Sequence, residues 1–254
     1  MKLKSLLVLA ALAVTIPFCS LAQNTNAPAG TNAPAAAPKV YVNSALVPVK
    51  HEGKRTDLVM ARAQAAPGDY DIEFIGDSIT DFWEGTGKNV WQEYYGHRKA
   101  INMGVSGDRT QHVLWRFEHG QLDGIKAKVA VVMIGTNNSN NRDNTEGEIL
   151  EGVAAIVQQI RTRQPETKIL LLGIFPRGNT FNAQRGKILQ VNQALARLDD
   201  GKNVFYLDFG SQLIENDGSI AKGIMKDSLH PTEAGYKIWA AAIEPKLKEL
   251  LGEK

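Results

Sequence analysis

The chain has 254 residues, 43% of them hydrophobic, which is enough to form one substantial hydrophobic core. Its 29 basic residues nearly balance 27 acidic ones, so the charge gives no indication of nucleic acid or an anionic membrane as a partner. The single cysteine excludes an internal disulfide framework. We therefore expect one domain that depends on its core for stability.

The first 22 residues have the features of a secretory signal peptide. A basic start precedes residues 6–18, an apolar run that is short for a membrane span. Small residues lead up to a predicted cleavage after Ala22, so we expect an exported protein, periplasmic or extracellular. The alternative is a lipoprotein acylated at Cys19, which the bulky Pro17 and Phe18 disfavour.

Residues 23–39 are rich in Asn, Ala and Pro and contain almost no large apolar side chain. Such a segment cannot bury enough surface to offset the entropy of ordering, so we interpret it as a disordered linker. The globular domain is expected to occupy residues 40–254, with a short supporting helix around residues 58–62.

Strand and helix patterns alternate from Asp71 onward. Apolar, β-branched runs predict five strands, at residues 71–76, 100–103, 129–134, 168–174 and 203–208. Strands separated by helical crossovers pair in parallel, and almost wholly apolar strands are typical of a sheet covered on both faces. The pattern therefore predicts an α/β fold, a three-layer α/β/α sandwich around a five-stranded parallel sheet.

Several predicted helices have recognisable ends. Thr145 and Glu148 match a capping box, which predicts the start of a helix that ends before Pro165. Residues 183–199 repeat the helical spacing. The last helix is expected to start after Thr232.

Polar segments follow the predicted strands. Ser78 comes after the first strand, and Gly107 follows the second. Asn137 follows the third strand, and residues 227–230 lie beyond the fifth. The carboxyl ends of parallel strands lie at one edge of a sheet, where open α/β sheets bind ligands. We therefore expect these four segments to converge.

The converging residue types fit nucleophilic catalysis. A serine such as Ser78 requires a base and a place for a developing oxyanion. His230 can act as that base, and Asp227 can accept its Nδ1 proton. The backbone of Ser78, the backbone of Gly107 and the amide of Asn137 are candidate oxyanion donors. The other histidines have no such partner, and no role is predicted for His51, His97, His112 and His119.

Ordinary structural roles would explain each residue separately. Ser78 and Asp227 are of the type that caps helices, and Gly107 would suit a simple turn. Residues 104–110 lack the phosphate-binding and dinucleotide-binding patterns. Apart from Asp227 and His230, no cluster of His, Asp, Glu or Cys indicates a metal site. We therefore expect neither a cofactor nor a metal ion.

The four segments resemble the sequence blocks of the SGNH (GDSL) hydrolase superfamily. The similar residues are, block by block, Gly76-Asp77-Ser78, Gly107, Gly135-Thr136-Asn137 and Asp227-x-x-His230. Over most of residues 70–250 the chain also resembles the catalytic-subunit type of the intracellular platelet-activating-factor acetylhydrolases. The stretches that carry this second resemblance are residues 107–116, 135–138, 162–165 and 173–178.

The resemblance implies a flavodoxin-like sandwich and ester hydrolysis without a metal. It implies that Ser78 is the nucleophile and that His230 and Asp227 are the acid–base pair. It also implies that Ser78, Gly107 and Asn137 donate to the oxyanion.

The same resemblance implies a small acyl pocket walled by Ile79, Thr136 and Leu229, so acetyl should be preferred to longer groups. Exported bacterial proteins of this type resemble carbohydrate deacetylases, which favours a carbohydrate or another small ester as substrate. Three aromatic residues are candidates for a sugar-stacking surface, although buried packing is their more usual role: Trp83, Trp91 and Phe175.

The combined interpretation is a secreted serine esterase that removes short acyl groups. A lysophospholipase or thioesterase remains an alternative within the hydrolases. A non-catalytic glycan-binding module on the same fold is an alternative from another class. The sequence carries no prediction of oligomeric state.

Overall fold

A computed structural model describes residues 41–65, 67–140 and 143–253. The predicted signal peptide and linker, residues 1–22 and 23–39, lie outside the described residues. Residues Tyr41–Lys254 form one compact unit. Of the helices in the described part of the chain, none is long and apolar enough to cross a membrane.

Within the described residues, five strands alternate with helices. The strands are β1 (Gly68–Gly76), β2 (Ala100–Asn102), β3 (Ile125–Met133), β4 (Lys168–Leu172) and β5 (Val204–Leu207). The α-helices are α1 (Lys54–Ala65), α2 (Ser78–Asp81), α3 (Lys88–Tyr95), α4 (Thr110–Glu118), α5 (Glu146–Arg163), α6 (Ala183–Leu195) and α7 (Glu233–Leu251). Short 3-10 helices occupy Ser44–Leu46, Phe82–Glu84, Ala196–Leu198 and Gly210–Leu213.

The five strands form one parallel sheet in the order β2-β1-β3-β4-β5. The central pair, β1 and β3, ends in register, with Gly76 opposite Met133. Because all pairings are parallel, the carboxyl ends of the strands lie at one edge of the sheet. The predicted five-stranded parallel α/β fold is confirmed.

Two hydrophobic cores cover the two faces of the sheet. Side chains alternate along a strand, so Phe74 and Ile75 of β1 point into different cores. The Phe74 core contains the apolar side of α7, including Trp239. The Ile75 core contains apolar residues of α4, α5 and α6, including Phe117 and Ile156. The sandwich therefore has three layers.

The helix ends follow local hydrogen bonds. Thr145 Oγ1 accepts the Glu148 N–H at 3.3 Å, and Glu148 Oε2 accepts the Thr145 N–H at 2.7 Å, so the predicted capping box is confirmed. The Thr232 side chain accepts the Gly235 N–H and caps α7. The short helix predicted around residues 58–62 is part of the longer helix α1, Lys54–Ala65. Val59 and Ala63 of this helix pack into a third, smaller apolar cluster.

Candidate active site

Ser78 lies where β1 passes into α2. Gly76 has no room for a side chain, because an added Cβ would overlap Thr80 Oγ1 and would lie 2.5 Å from the Met133 carbonyl oxygen. Asp77 Oδ1 accepts the Ile79 N–H at 3.0 Å and caps the helix. Ser78 is then the first residue of α2, a position whose N–H has no acceptor within the helix.

Ser78, His230 and Asp227 form a continuous hydrogen-bonded chain. Ser78 Oγ lies 2.9 Å from His230 Nε2, and His230 Nδ1 lies 2.7 Å from Asp227 Oδ2. An ionised carboxylate only accepts, so the imidazole donates its Nδ1–H to Asp227. Nε2 is thereby left to accept the proton of the Ser78 hydroxyl, which is the arrangement that activates a serine nucleophile.

The loop before α7 explains why a spacing of three residues is sufficient for the acid–base pair. Asp227 Oδ1 accepts the N–H groups of Leu229 at 3.1 Å and His230 at 2.8 Å, which leaves Oδ2 for the ring. Ser228 has a φ of 59°, a left-handed conformation that turns the chain sharply. The Ser228 carbonyl is held by the Gly178 N–H at 2.8 Å.

The hydrogen bonds of this loop also set the charge of Asp227. Burial alone would raise the pKa of Asp227, but hydrogen bonds from the His230 backbone and ring and from the Leu229 N–H lower it below its usual value. The carboxylate is therefore ionised at neutral pH and can stabilise a positively charged imidazole.

Two of the candidate oxyanion donors, Gly107 and Asn137, follow the strands that flank β1. The Val105 N–H donates to the Gly76 carbonyl at 3.1 Å, which ties the loop of Gly107 to the turn that carries Ser78. Gly107 is exposed and has a φ of 85°, a conformation that favours glycine. Asn137 uses one amide hydrogen to bind the Asp108 carbonyl at 2.8 Å, and its second amide hydrogen remains for a ligand.

The three residues predicted to wall an acyl pocket adjoin these groups along the chain. Ile79 and Thr136 are buried, and Leu229 is half-buried. Arg177 donates to the Thr136 carbonyl at 3.1 Å and to its hydroxyl at 3.3 Å. Thr136 is therefore held beside Asn137, and the role of the three residues as pocket walls stays a prediction.

Asp77, beside the serine, is completely buried. Burial raises the pKa of this carboxyl to about 7, against the opposing effects of the Ile79 N–H and of the charges on His230 and Arg177. Asp77 is thus a buried titratable group immediately before Ser78 in the chain.

A second polar cluster lies behind Gly107, and the sequence interpretation missed it. His51 Nδ1 lies 2.8 Å from Asp108 Oδ1, and the rings of His51 and His112 have centroids 4.7 Å apart. Arg116, fully buried, forms an ion pair with the same carboxylate. The interpretation that His51 and His112 have no nearby partner was wrong.

The missed cluster has a specific physical explanation. Asp108 and His112 are four residues apart at the start of α4, and this spacing was the one feature of the sequence that could have indicated the cluster. His51 is 57 positions away, and only the folded chain brings it to Asp108. The three residues could together hold a metal ion. Asp108 already binds His51 and Arg116, and His112 Nδ1 accepts the Arg109 N–H at 3.1 Å.

The candidate sugar-stacking residues have their more usual role. Trp83 and Phe175 are buried, and Trp91 packs against Trp83 with ring centroids 5.9 Å apart. These side chains support the core next to the site. The aromatic ring in contact with the imidazole is Phe82, with centroids 5.1 Å apart.

Comparison with known proteins agrees with this geometry. The sequence profile of the GDSL-like Lipase/Acylhydrolase family matches residues 74–238. The chain is 41% identical over 184 residues to platelet-activating factor acetylhydrolase IB subunit alpha2 of Rattus norvegicus, with 72% of this chain and 78% of the relative covered. It is 36% identical over 184 residues to subunit alpha1 of Homo sapiens, with the same coverage.

Solved structures show the same fold. A GDSL-like lipase from Bacteroides thetaiotaomicron matches with a TM-score of 0.63 at 20% identity, covering 77% of this chain and 98% of that one. An acetylxylan esterase from Geobacillus stearothermophilus matches with a TM-score of 0.56 at 20% identity, covering 73% and 95%. The profile match and the curated relatives lead to one conclusion: the chain belongs to the GDSL-like lipase/acylhydrolase family and is a carboxylic ester hydrolase.

Proposed function

We propose that the protein is an exported serine esterase that removes acetyl or similarly short acyl groups from a small or carbohydrate ester. The observation that carries the proposal is the hydrogen-bonded chain from Ser78 through His230 to Asp227. A serine hydroxyl, a neutral imidazole and a carboxylate in this order supply a nucleophile and its base.

In the proposed first step, Ser78 Oγ attacks the acyl carbon while His230 Nε2 takes the hydroxyl proton. The carbonyl π electrons move onto the oxygen, and the Ser78 N–H, the Gly107 N–H and the Asn137 amide donate to that oxyanion. Asp227 stabilises the charged imidazole. Collapse of the oxyanion expels the alcohol, which receives the proton from His230, and an acyl-serine remains.

In the second step, a water molecule attacks the acyl-serine and gives one proton to His230. Collapse of the second tetrahedral intermediate breaks the bond between the acyl carbon and Ser78 Oγ. The serine oxygen takes the proton back from His230, and the carboxylic acid leaves. The side chains and water account for every bond and proton in the two steps.

The preference for short acyl groups rests on Ile79, Thr136 and Leu229. Two of these residues are buried, and each is adjacent in the chain to a proposed reacting or donating residue. Methylene groups that overfill a well-packed apolar pocket cost about 1–3 kcal/mol, so several of them together slow the reaction substantially. The names of the rat relative and of the Geobacillus structure both refer to acetyl esters, although the alcohol parts differ.

The nucleophile is tested by Ser78→Ala. We expect kcat/KM for p-nitrophenyl acetate to fall by roughly 10⁴-fold or more, because the residual rate then depends on the oxyanion donors and substrate binding alone. Ser211→Ala is a matched control, because Ser211 is exposed and belongs to the 3-10 helix Gly210–Leu213. A fluorophosphonate probe should label the wild type and the control but not Ser78→Ala. Full activity in Ser78→Ala would contradict the mechanism, and an unlabelled wild type would favour the glycan-binding alternative.

The substrate class is tested by acyl length and by the alcohol. Acetate esters should be hydrolysed at least about 100-fold faster than octanoate esters if the pocket is tight. Equal rates would favour a lysophospholipase or thioesterase. Acetate release from a panel of acetylated sugars and lipids would then identify the alcohol. Export is tested separately by the N-terminal sequence of protein recovered outside the cytoplasm, which we expect to begin after Ala22.

A further inference from the structure

The segment before α1 contacts the loop that carries Gly107. Residues 41–53 precede the part of the chain that the family profile matches. The Thr110 hydroxyl donates to the Ala45 carbonyl at 2.9 Å, and the Val49 N–H donates to the Gln111 carbonyl at 3.3 Å. This segment is thereby fastened to the start of α4, directly after Gly107 and Asp108.

His51 extends from this segment onto the Gly107–Asp108 peptide. Its Nδ1 lies 2.8 Å from Asp108 Oδ1, and Nδ1 must be the donor because a carboxylate can only accept. The imidazole also packs on Gly107, where an added Cβ would lie 2.9 Å from His51 Cε1. One side chain therefore contacts both residues of this peptide.

Asp108 connects the two donors that come from different loops. Asp108 is joined directly to Gly107 by the peptide bond. Its carbonyl oxygen accepts a hydrogen bond from the Asn137 amide at 2.8 Å. Its side chain is completely buried and is held by Arg116 on one side and by His51 on the other. The orientation of Asp108 consequently affects the Gly107 N–H and the Asn137 amide together.

We propose that His51 is a positioning residue of the oxyanion hole, which holds Gly107 and Asp108 so that the Gly107 N–H and the Asn137 amide donate to the oxyanion. The inference rests on the donor roles of Gly107 and Asn137 in the proposed function. Oxyanion donors must be in place before the charge develops, because their value lies in needing no reorganisation during the reaction. A group that fixes their orientation therefore affects the transition state more than the bound substrate.

Two substitutions separate the hydrogen bond from the packing. His51→Phe keeps a ring against Gly107 but cannot donate to Asp108. His51→Asn retains a donor close to the position of Nδ1. His119→Ala is the control, since His119 is an exposed histidine that contacts the Trp115 carbonyl at the other end of α4.

The expected result is a loss of kcat with little change in KM. For p-nitrophenyl acetate we expect His51→Phe to lower kcat about 10- to 30-fold, a fraction of the effect of deleting one donor outright. His51→Asn should recover most of that loss, and His119→Ala should behave as wild type. KM should stay within about two-fold in all three variants, because ground-state binding is not affected.

A transition-state analogue supplies a measurement that a general loosening of the fold would not reproduce. An alkyl boronic acid forms a tetrahedral adduct with the active serine, and its oxygen occupies the oxyanion position. Its inhibition constant should rise across the His51 variants in proportion to the fall in kcat/KM, while the melting temperatures of His51→Phe and His51→Asn remain similar.

Specific outcomes would overturn the inference. Wild-type kcat in His51→Phe would do so, as would equal impairment of both variants accompanied by the same loss of melting temperature. Ser78→Ala, measured in the same series, separates the two proposals. Full activity there would refute the proposed function and this inference with it, whereas Ser78-dependent activity that is insensitive to His51→Phe would refute this inference alone.

Discussion

Two adjacent asparagines after β3 have different surroundings. Asn137 is half-buried and uses one amide hydrogen on the Asp108 carbonyl, so the other is available to a ligand. Asn138 is completely buried, and its side chain bonds to the Thr110 N–H at 3.0 Å, to Gln111 at 3.0 Å and to Asn144 at 3.0 Å. The first is placed to donate to a substrate, and the second connects the start of α4 to the loop between β3 and α5.

The pair yields a direct prediction. Asn137→Ala should lower kcat for p-nitrophenyl acetate about 10²- to 10³-fold with little effect on stability, because it removes one oxyanion donor. Asn138→Ala should lower the free energy of unfolding by about 2–3 kcal/mol, because it leaves several buried partners unsatisfied. Steady-state kinetics and urea denaturation of both variants test this contrast. A stable, fully active Asn137→Ala would contradict the donor role of that amide.

At the residue scale, local sequence was informative only where function depends on neighbours in the chain. The spacing of Asp227 and His230 could be interpreted, because a carboxylate three residues before an imidazole can fold back onto it. Ser78 could be interpreted because it directly follows a strand. His51 could not, because its partner Asp108 lies 57 positions away and no pattern in either segment points to the other.

The elements were predictable because burial imposes a period on the sequence. Helix α5 shows this well, since its apolar face and its capping box agree on the same start at Thr145. Strand beginnings were less predictable. β3 begins at Ile125, four residues before the predicted run. Its first four residues alternate between buried and exposed, because only one face of the strand is covered there. A continuous apolar run identifies only the part buried on both faces.

The capping box of α5 is open to a separate test. Thr145→Ala should lower the free energy of unfolding by about 1 kcal/mol, because the Glu148 N–H loses its acceptor at the helix start. Thr162→Ala is the control within the same helix, since Thr162 is exposed and its hydroxyl bonds Gln158 one turn earlier, donating to the carbonyl at 2.8 Å and accepting from the side-chain amide at 3.3 Å. Urea denaturation should show the larger loss for Thr145→Ala, while both variants keep wild-type esterase activity. Equal losses would argue against the cap.

Across the whole molecule, a buried polar chain extends from the centre of the sheet to the candidate site. Glu73 of β1 is completely buried, and the Gln121 amide lies 3.5 Å from its carboxylate. Gln121 also accepts from Arg116 at 2.6 Å, and Arg116 is the ion-pair partner of Asp108. Burial raises the pKa of Glu73 to about 7, although the Gln121 amide and the Arg116 charge oppose the shift.

This raised pKa links the protonation of Glu73 to the stability of the entire fold. The ordinary pKa of the group is 4.5, and the folded protein raises it to about 7. The folded state therefore binds the proton more tightly than the unfolded state does. The contribution of protonated Glu73 to the free energy of unfolding is fully present below pH 4.5 and is lost as the pH rises through about 7. The full loss corresponds to about 3 kcal/mol.

Glu73→Gln should remove most of this loss, because the amide has nearly the same shape and cannot ionise. In urea denaturation, the variant and the wild type should have similar free energies of unfolding near pH 5, and the variant should be more stable by up to about 3 kcal/mol at pH 8. Some decline with pH should remain, because Asp77 is also buried and burial raises its pKa to about 7. Glu118→Gln, at an exposed position, should retain the wild-type pH dependence. A variant less stable than the wild type at pH 8 would contradict this prediction. It would mean that the charge of Glu73 is needed to offset the burial of the Arg116 guanidinium, and that Asp108 alone does not offset it.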